Sequence, residues 1–358
     1  MEVRAQYIDT PFFSICIPQH NRTSFLLEAL HVLSSQEFRD FEICIADDQS
    51  TDEREREILD SLRSSGLSFA YSKNERNMRY DGNLRSAIHL ARGRYCLLHG
   101  NDDCLKGPET LQRLHDMLEA YGHPAVALTN FEDWTTGELT RRVGATVLLP
   151  GLPETAAAHF RNVAFVTGVL LDRAQAQACA TDRWDGSEMY QMYLMAHIIA
   201  IGGSLLEIDE SMVRKDVQVR GEQVDSIARA PVITPCPIIP RILPLTQIGR
   251  VVIDAIAPAL EPAARRKLNA RILGQLYRFT FPQWVVEYRR VQSWKFAAGL
   301  SLGLRVRSVC EGVELSVPSR VILHALHSFG CLFALVIPIR AFDALQPVLY
   351  AFAKRRRG

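Results

Sequence analysis

From residue 12 to residue 98 the chain alternates between short apolar runs and segments with helical spacing, and this alternation constrains its fold more than any other feature. Phe12-Phe13-Ser14-Ile15-Cys16-Ile17 reads as a strand that ends at Pro18. Ser24 to Ser35 sets Phe25, Leu26, Ala29, Leu30 and Leu33 at helical spacing. Phe41-Glu42-Ile43-Cys44-Ile45-Ala46 is a second strand, and Ser50-Thr51-Asp52-Glu53 reads as a capping box opening a helix to about Ser64. Leu67 to Tyr71 is a third strand, Asn83 to Ala91 a helix that Gly93 stops, and Arg94 to Leu98 a fourth strand. A β-α-β-α-β order predicts an α/β sheet with parallel neighbours and right-handed crossovers. Such sheets bind ligands outside the carboxyl ends of their strands.

Three polar clusters fall at such ends: Gln19-His20-Asn21-Arg22, Asp47-Asp48-Gln49-Ser50 and Asn101-Asp102-Asp103. Two of them contain adjacent aspartates. Like charges side by side repel, and each costs free energy to desolvate. A hard dication such as Mg²⁺ takes oxygen ligands, often one or two carboxylates together with substrate phosphates, and would relieve that repulsion. It would also neutralise the charge that builds on a departing diphosphate.

Beyond the fourth strand the alternation continues. A helix is expected over Glu109 to Tyr121, strands over Ala125 to Thr129, Ala164 to Leu171 and Ser204 to Ile208, and a helix over Met189 to Ile199 closed by Gly202-Gly203. Five prolines between Pro231 and Pro244 then break an apolar stretch. The expected organisation is a domain over residues 1–215, a Pro-rich linker over 216–245 and a helical region over 246–358, with helices resuming at Ile248 to Ile256 and Ala263 to Phe279.

Four segments occur in a set order: SICIPQHNR (14–22), FEICIADDQSTD (41–52), GNLRSAIHLARGRYCLLHGNDD (82–103) and DGSEMYQMYLMAHIIAIGG (185–203). Together they resemble the family 2 glycosyltransferases, nearest to bacterial enzymes of O-antigen and exopolysaccharide synthesis. The resemblance covers about residues 10–215. It implies the GT-A fold, a Rossmann-like mixed sheet flanked by helices, followed here by an α-helical C-terminal region. It implies a nucleotide-diphospho-sugar donor, Mg²⁺ or Mn²⁺, and inverting transfer to a glycan hydroxyl. By the match, Pro18 and Asn21 border the nucleotide and Asp48 accepts a hydrogen bond from the base. Arg79 and Arg85 approach the diphosphate. Asp102 and Asp103 stand for the D-x-D element, with Asp103 the direct metal ligand. Phe165 to Val169 resembles the acceptor-side strand. Glu188 falls where the family keeps its catalytic base, with Asp185 the alternate. The usual base is Asp, and the metal element reads Asn-Asp-Asp rather than Asp-x-Asp.

Plainer readings stand beside these. Asp185 and Glu188 form a D-x-x-E pattern that by itself fits a helix cap. Asp48 fits a turn, and His99 and His197 fit packed positions better than ligand positions. H-E-x-x-H and G-x-G-x-x-G are absent from the sequence, which excludes the zinc-protease and dinucleotide signatures. A nucleotidyltransferase using the same paired acids, and an inactive glycan- or lipid-binding relative, remain alternatives to sugar transfer.

Charge and cysteines add bounds. Lys and Arg number 41 against 40 Asp and Glu, which gives no sign of a nucleic-acid partner. Cys16, Cys44 and Cys96 lie inside apolar runs, and no C-x-x-C pair occurs, so free thiols in a reducing compartment are expected. No signal peptide is read at the N-terminus. Val321 to Ile339 is about 19 residues and nearly all apolar, between Arg320 and Arg340. An amphipathic stretch, Ala341 to Phe352, follows, and then Lys354-Arg355-Arg356-Arg357. This predicts a peripheral helix pair on the cytoplasmic membrane surface, which would suit a polyprenyl-linked acceptor.

Overall fold

The apolar runs read from the sequence form the centre of one mixed sheet. The computed structural model describes residues 2–5, 10–222, 233–234 and 241–345. The chain divides into two units, Met1–Ala228 and Arg229–Gly358.

In the first unit the strands and helices run β1 (Glu2–Ala5), β2 (Phe13–Gln19), α1 (Thr23–Ser34), β3 (Phe41–Asp47), α2 (Glu55–Ser64), β4 (Ser68–Lys73), α3 (Arg79–Leu90), β5 (Tyr95–Leu98) and β6 (Cys104–Leu105). They continue with α4 (Thr110–Ala120), β7 (Val126–Asp133), β8 (Leu139–Thr140), β9 (Val147–Leu149), α5 (Pro153–His159), β10 (Val169–Asp172), α6 (Arg173–Ala178), α7 (Tyr190–Ala200) and β11 (Leu205–Lys215). The sheet order is β1-β4-β3-β2-β5-β10-β7-β11-β6, with β8 on β7 and β9 on β11. β4, β3, β2 and β5 are parallel neighbours. β10 is antiparallel to both β5 and β7, and β11 runs parallel to β7. The carboxyl ends of β2, β3, β4, β5, β7 and β11 therefore lie along one edge.

Every residue of β3 is buried, as a central parallel strand requires, and this includes Glu42. Its carboxylate accepts hydrogen bonds from Ser14 Oγ (2.6 Å) and the Arg92 amide (2.7 Å), and Ser14 Oγ accepts from the Gly93 amide (2.8 Å). A buried acid is stable only when so satisfied. All seven described cysteines are free thiols, and six of them are buried.

Several sequence expectations need correction. The helix after β3 begins at Glu55, and Ser50 to Glu53 do not cap it. Ser50 Oγ instead accepts from the Asn21 amide (2.8 Å), and the Asp52 carboxylate accepts from Thr23 Oγ1 (2.6 Å), so both side chains tie the loop to the β2–α1 turn. α3 begins at Arg79 and is followed by an extended Ala91, before Gly93 is reached. Gly93 is needed for close approach: a Cβ there would lie 2.8 Å from the Phe13 carbonyl carbon and the Ser14 amide nitrogen. The strand expected over Ala164 to Leu171 exists only as β10 from Val169. Phe165 and Thr167 give their carbonyls to an arginine described below, and Gly168 has φ +79°.

The second unit opens on a two-stranded ribbon, β12 (Ile233–Thr234) and β13 (Arg241–Ile242), then α8 (Leu243–Ile256) and α9 (Pro262–Gln275). A π-helical turn, Leu276–Thr280, leads into α10 (Phe281–Val291), α11 (Trp294–Gly303), α12 (Val306–Val309) and α13 (Val317–Val336). Ser316 caps α13, its Oγ accepting from the Ser319 amide at 3.2 Å, so Arg320 lies inside the helix rather than flanking it. Residues 339–345 are helical; the rest of the stretch to Phe352 and the Lys354–Arg357 cluster lie outside the described residues, as does most of the Pro-rich 216–245 segment.

Gly93→Ala is expected to cost about 1–3 kcal/mol, because the backbone of β2 must shift to admit the methyl group. A fall in the urea midpoint with an unchanged slope would register it.

Candidate active site

The carboxyl edge gathers Asp47, Asp48, Asp102, Asp103 and Asp216, and each is satisfied differently. Asp47 accepts from the Ser50 amide (2.8 Å) and Tyr71 Oη (3.1 Å) and fixes the turn after β3. Asp48 is 2% exposed; its Oδ1 accepts from Asn74 Nδ2 (2.9 Å) and the Met78 amide (2.6 Å), which ties the β3 end to the α3 entrance. Pro18 is the penultimate residue of β2 and pairs with Ala46. Asn21 Oδ1 accepts from the Thr51 amide at 2.8 Å, and Gln19 Oε1 accepts from Asn101 Nδ2 at 2.8 Å, so the ends of β2, β3 and β5 are cross-linked.

Asp102 forms an ion pair with Arg22, whose φ is +59°. Sequence reading placed Arg22 in a polar cluster but gave it no role. Asp103 is buried deeper. Its Oδ2 accepts from Thr167 Oγ1 and its Oδ1 from the Asp216 amide (3.2 Å). Thr167 Oγ1 in turn accepts from the Gly100 amide at 2.8 Å. Arg142, 4% exposed, holds the Thr167 segment in place. Its guanidinium donates to the carbonyls of Thr129, Phe165 (2.7 Å) and Thr167 (2.7 Å), with the rings of Phe131 and Phe165 within 5.7 Å. This contact set spans chain separations that no local pattern reveals.

Burial, and then the neighbouring Asp102 charge, push the Asp103 carboxyl up to about 8. That is the condition of a carboxylate short of positive charge. The donor set, adjacent hard oxygens with Arg22 supplying one positive charge to Asp102, fits a divalent cation of the Mg²⁺ or Mn²⁺ kind. Among the described residues no cluster of three or more His, Cys, Asp or Glu forms a closed protein cage. An ion here would complete its shell with substrate oxygens and water.

The second half of the site is built around Asp81 on the first turn of α3. Its buried carboxylate accepts from the amides of Gly186 (2.9 Å), Glu188 (2.8 Å) and Tyr190 (3.0 Å). These three bonds do the work that a side-chain cap would do for α7, whose N-cap residue Met189 makes none. The D-x-x-E cap read from Asp185 and Glu188 is therefore absent. Asp185 makes a bidentate pair with Arg85 (2.7 and 2.7 Å). Glu188, at φ +59°, accepts no hydrogen bond and makes no ion pair among the described residues. Partial burial and then the Asp81 charge raise its pKa, with the Arg79 charge opposing them. The Tyr80 hydroxyl, bonded to Gln191 Oε1 at 3.1 Å, is raised first by burial and then by the charges of Asp81, Glu188 and Asp103. One phenol thus feels both the base candidate and the metal candidate.

Eight described non-glycine residues have positive φ, and seven, Asn21, Arg22, Gln49, Glu53, Arg79, Glu188 and Asp216, stand in loops or, for Arg79, at a helix start at this edge. Residues held there cost about 1–3 kcal/mol each and gather where geometry is fixed for function.

Residues 14–169 match the family described as Glycosyl transferase family 2. The match falls within the first unit, whose mixed sheet flanked by helices is of the GT-A kind. In sequence the chain is similar to the abequosyltransferase RfbV of Salmonella typhimurium, 41% identical over 95 residues, which are 26% of this chain and 28% of that protein. It is also similar to the amylovoran biosynthesis glycosyltransferase AmsB of Erwinia amylovora, 31% identical over 109 residues, 30% of this chain and 36% of that one. The matches span about a third of those relatives. In fold it is similar to residues 1–349 of S. aureus TarS in complex with UDP, at TM-score 0.57 and 15% identity, covering 93% of this chain and 91% of that one. The mannosyltransferase PcManGT of Pyrobaculum calidifontis, in complex with GDP-Man and Mn²⁺, gives TM-score 0.53 at 15% identity, covering 97% and 87%.

Asp81→Ala leaves three backbone amides without their acceptor. A loss of about 3 kcal/mol in urea unfolding is expected, at the upper end of the cost of an unsatisfied buried group.

Proposed function

We propose that the protein transfers a sugar from a nucleotide-diphospho-sugar to a hydroxyl of a growing cell-surface glycan, with inversion at the anomeric carbon. The observation that carries this reading is the contrast between two nearby carboxylates. Asp185 is neutralised by Arg85, whereas Glu188 has a raised pKa and, among the described residues, no hydrogen-bond or ion-pair partner. A base must be unpaired to take a proton, and a pKa moved toward neutrality suits it to that task.

Glu188 takes the proton from the acceptor hydroxyl as that oxygen attacks. Asp81 holds the Glu188 amide and so aims the base. In this reading Pro18, Asn21 and Asp48 border the nucleotide, and Arg79 meets the diphosphate. Asp102 and Asp103 would hold Mg²⁺ or Mn²⁺, which would supply Lewis-acid stabilisation of the leaving diphosphate. The names of the similar proteins support a role in polysaccharide synthesis, and the neighbours solved with UDP and with GDP-Man and Mn²⁺ support the donor and metal classes. The acceptor in this reading is a glycan carried on a polyprenyl lipid at the cytoplasmic membrane surface.

The direct test is product analysis: transfer releases a nucleoside diphosphate from a nucleotide-sugar. Release of pyrophosphate from a nucleoside triphosphate would instead make the protein a nucleotidyltransferase. Donor binding without turnover across glycan acceptors would make it an inactive relative.

Glu188→Gln is expected to lower kcat by about 10²–10⁴ with the donor KM within a few-fold. Because the base acts deprotonated and its pKa is raised, wild-type kcat falls on acidification with a midpoint above the ordinary carboxylate range. The variant loses that limb. Asp102→Asn and Asp103→Asn are each expected to abolish the manganese-dependent part of the thermal shift produced by UDP- or GDP-linked sugars.

A further inference from the structure

The near-zero net charge of the chain conceals a division between its units. Residues 1–228 carry 22 Lys and Arg against 34 Asp and Glu, while residues 229–358 carry 19 against 6. The second unit is therefore strongly basic. It also exposes a large apolar surface on α13.

Leu323, Gly330, Cys331 and Ala334 form one face of α13, and all are buried. That face is seated closely: a Cβ on Gly330 would lie 2.9 Å from Pro282 Cγ, and His327 Nε2 lies 2.9 Å from the Ser301 carbonyl oxygen. The opposite face carries Val317, Val321, Ile322, Phe329, Leu332 and Val336, spaced as one helical stripe and open to solvent. Phe329, Leu332 and Val336 are 72%, 64% and 70% exposed. α13 carries no acidic residue, and Arg320 and Arg340 stand toward its two ends. Trp294 Nε1 donates to the Leu335 carbonyl at 3.1 Å while its ring stays mostly exposed, which sets an indole at the C-terminal end of the stripe. Indoles favour the boundary between apolar and aqueous phases.

We propose that this face of α13 docks on the surface of a bilayer containing anionic lipid, with the helix lying in the interface plane. Length and composition would let α13 cross a membrane. Its buried face argues otherwise, since a helix packed on one side against its own unit cannot be immersed on all sides. The excess of basic residues selects an anionic surface, and the apolar stripe selects one with a hydrocarbon interior, which nucleic acid lacks. The inference stands on the second unit alone, so it can fail while the transferase reading holds.

The test is co-sedimentation of the full chain with vesicles of phosphatidylcholine alone and of phosphatidylcholine mixed with phosphatidylglycerol. Binding to the anionic vesicles, weakened by salt and absent from the neutral ones, is the expected result. The F329E/L332E variant should bind at least about tenfold more weakly with an unchanged melting temperature. Should that pair unfold the chain, Leu332→Asn reads the same face more gently and should weaken binding several-fold. Recovery of the wild-type chain in the supernatant with both vesicle types would overturn the proposal, as would wild-type binding by a folded F329E/L332E or Leu332→Asn variant. A concentration-dependent dimer that F329E/L332E converts to a monomer, with no vesicle binding by the wild type, would assign the stripe to a second copy of the chain instead.

Discussion

Negative charge gathered at the carboxyl edge of the sheet is the constraint on which the rest of the first unit depends. Parallel strands deliver their ends to one line, and five aspartates stand along it. Each must be satisfied in a low-dielectric setting, where an unpaired charge is costly. Asp47 and Asp48 are satisfied by the loops they organise, through Tyr71, Asn74 and two backbone amides. Asp102 has Arg22. Among the described residues Asp103 has neutral donors, Thr167 and the Asp216 amide, and remains short of positive charge. The site is thus a rigid scaffold with one deficit left in it.

That deficit is maintained by elements distant in the chain. Arg142, between β8 and β9, carries its charge to backbone carbonyls and so freezes the loop that presents Thr167. Asp81 spends its carboxylate on three amides and so freezes the loop that presents Glu188. Left-handed backbone at Glu188 is tolerated because the bonds from Asp81 over-determine it.

The alternation of apolar runs made the parallel core legible, because period and burial are local properties of the chain. The positions of Asp48, Asp102, Asp103 and Glu188 followed from strand ends and from family resemblance. The partners of these residues did not. Thr167 lies 64 residues from Asp103, and Asp81 lies 107 from Glu188, so neither pairing has a sequence signature. Local patterns also misled where tertiary contacts displaced them. Ser50 and Asp52 look like a cap but hold the β2–α1 turn, and Gly93 looks like a helix stop but admits the β2 backbone. Short strands such as β6, β8 and β9 carry too few residues for any period to show.

The three bonds from Asp81 have a consequence for how such domains diversify. They make α3 and the loop ahead of α7, which presents Glu188, a single mechanical body. A recombination event that exchanged one of these segments without the other would bring in a foreign loop with no anchor. Under the proposed function, the two sides of the site are in this way inherited together.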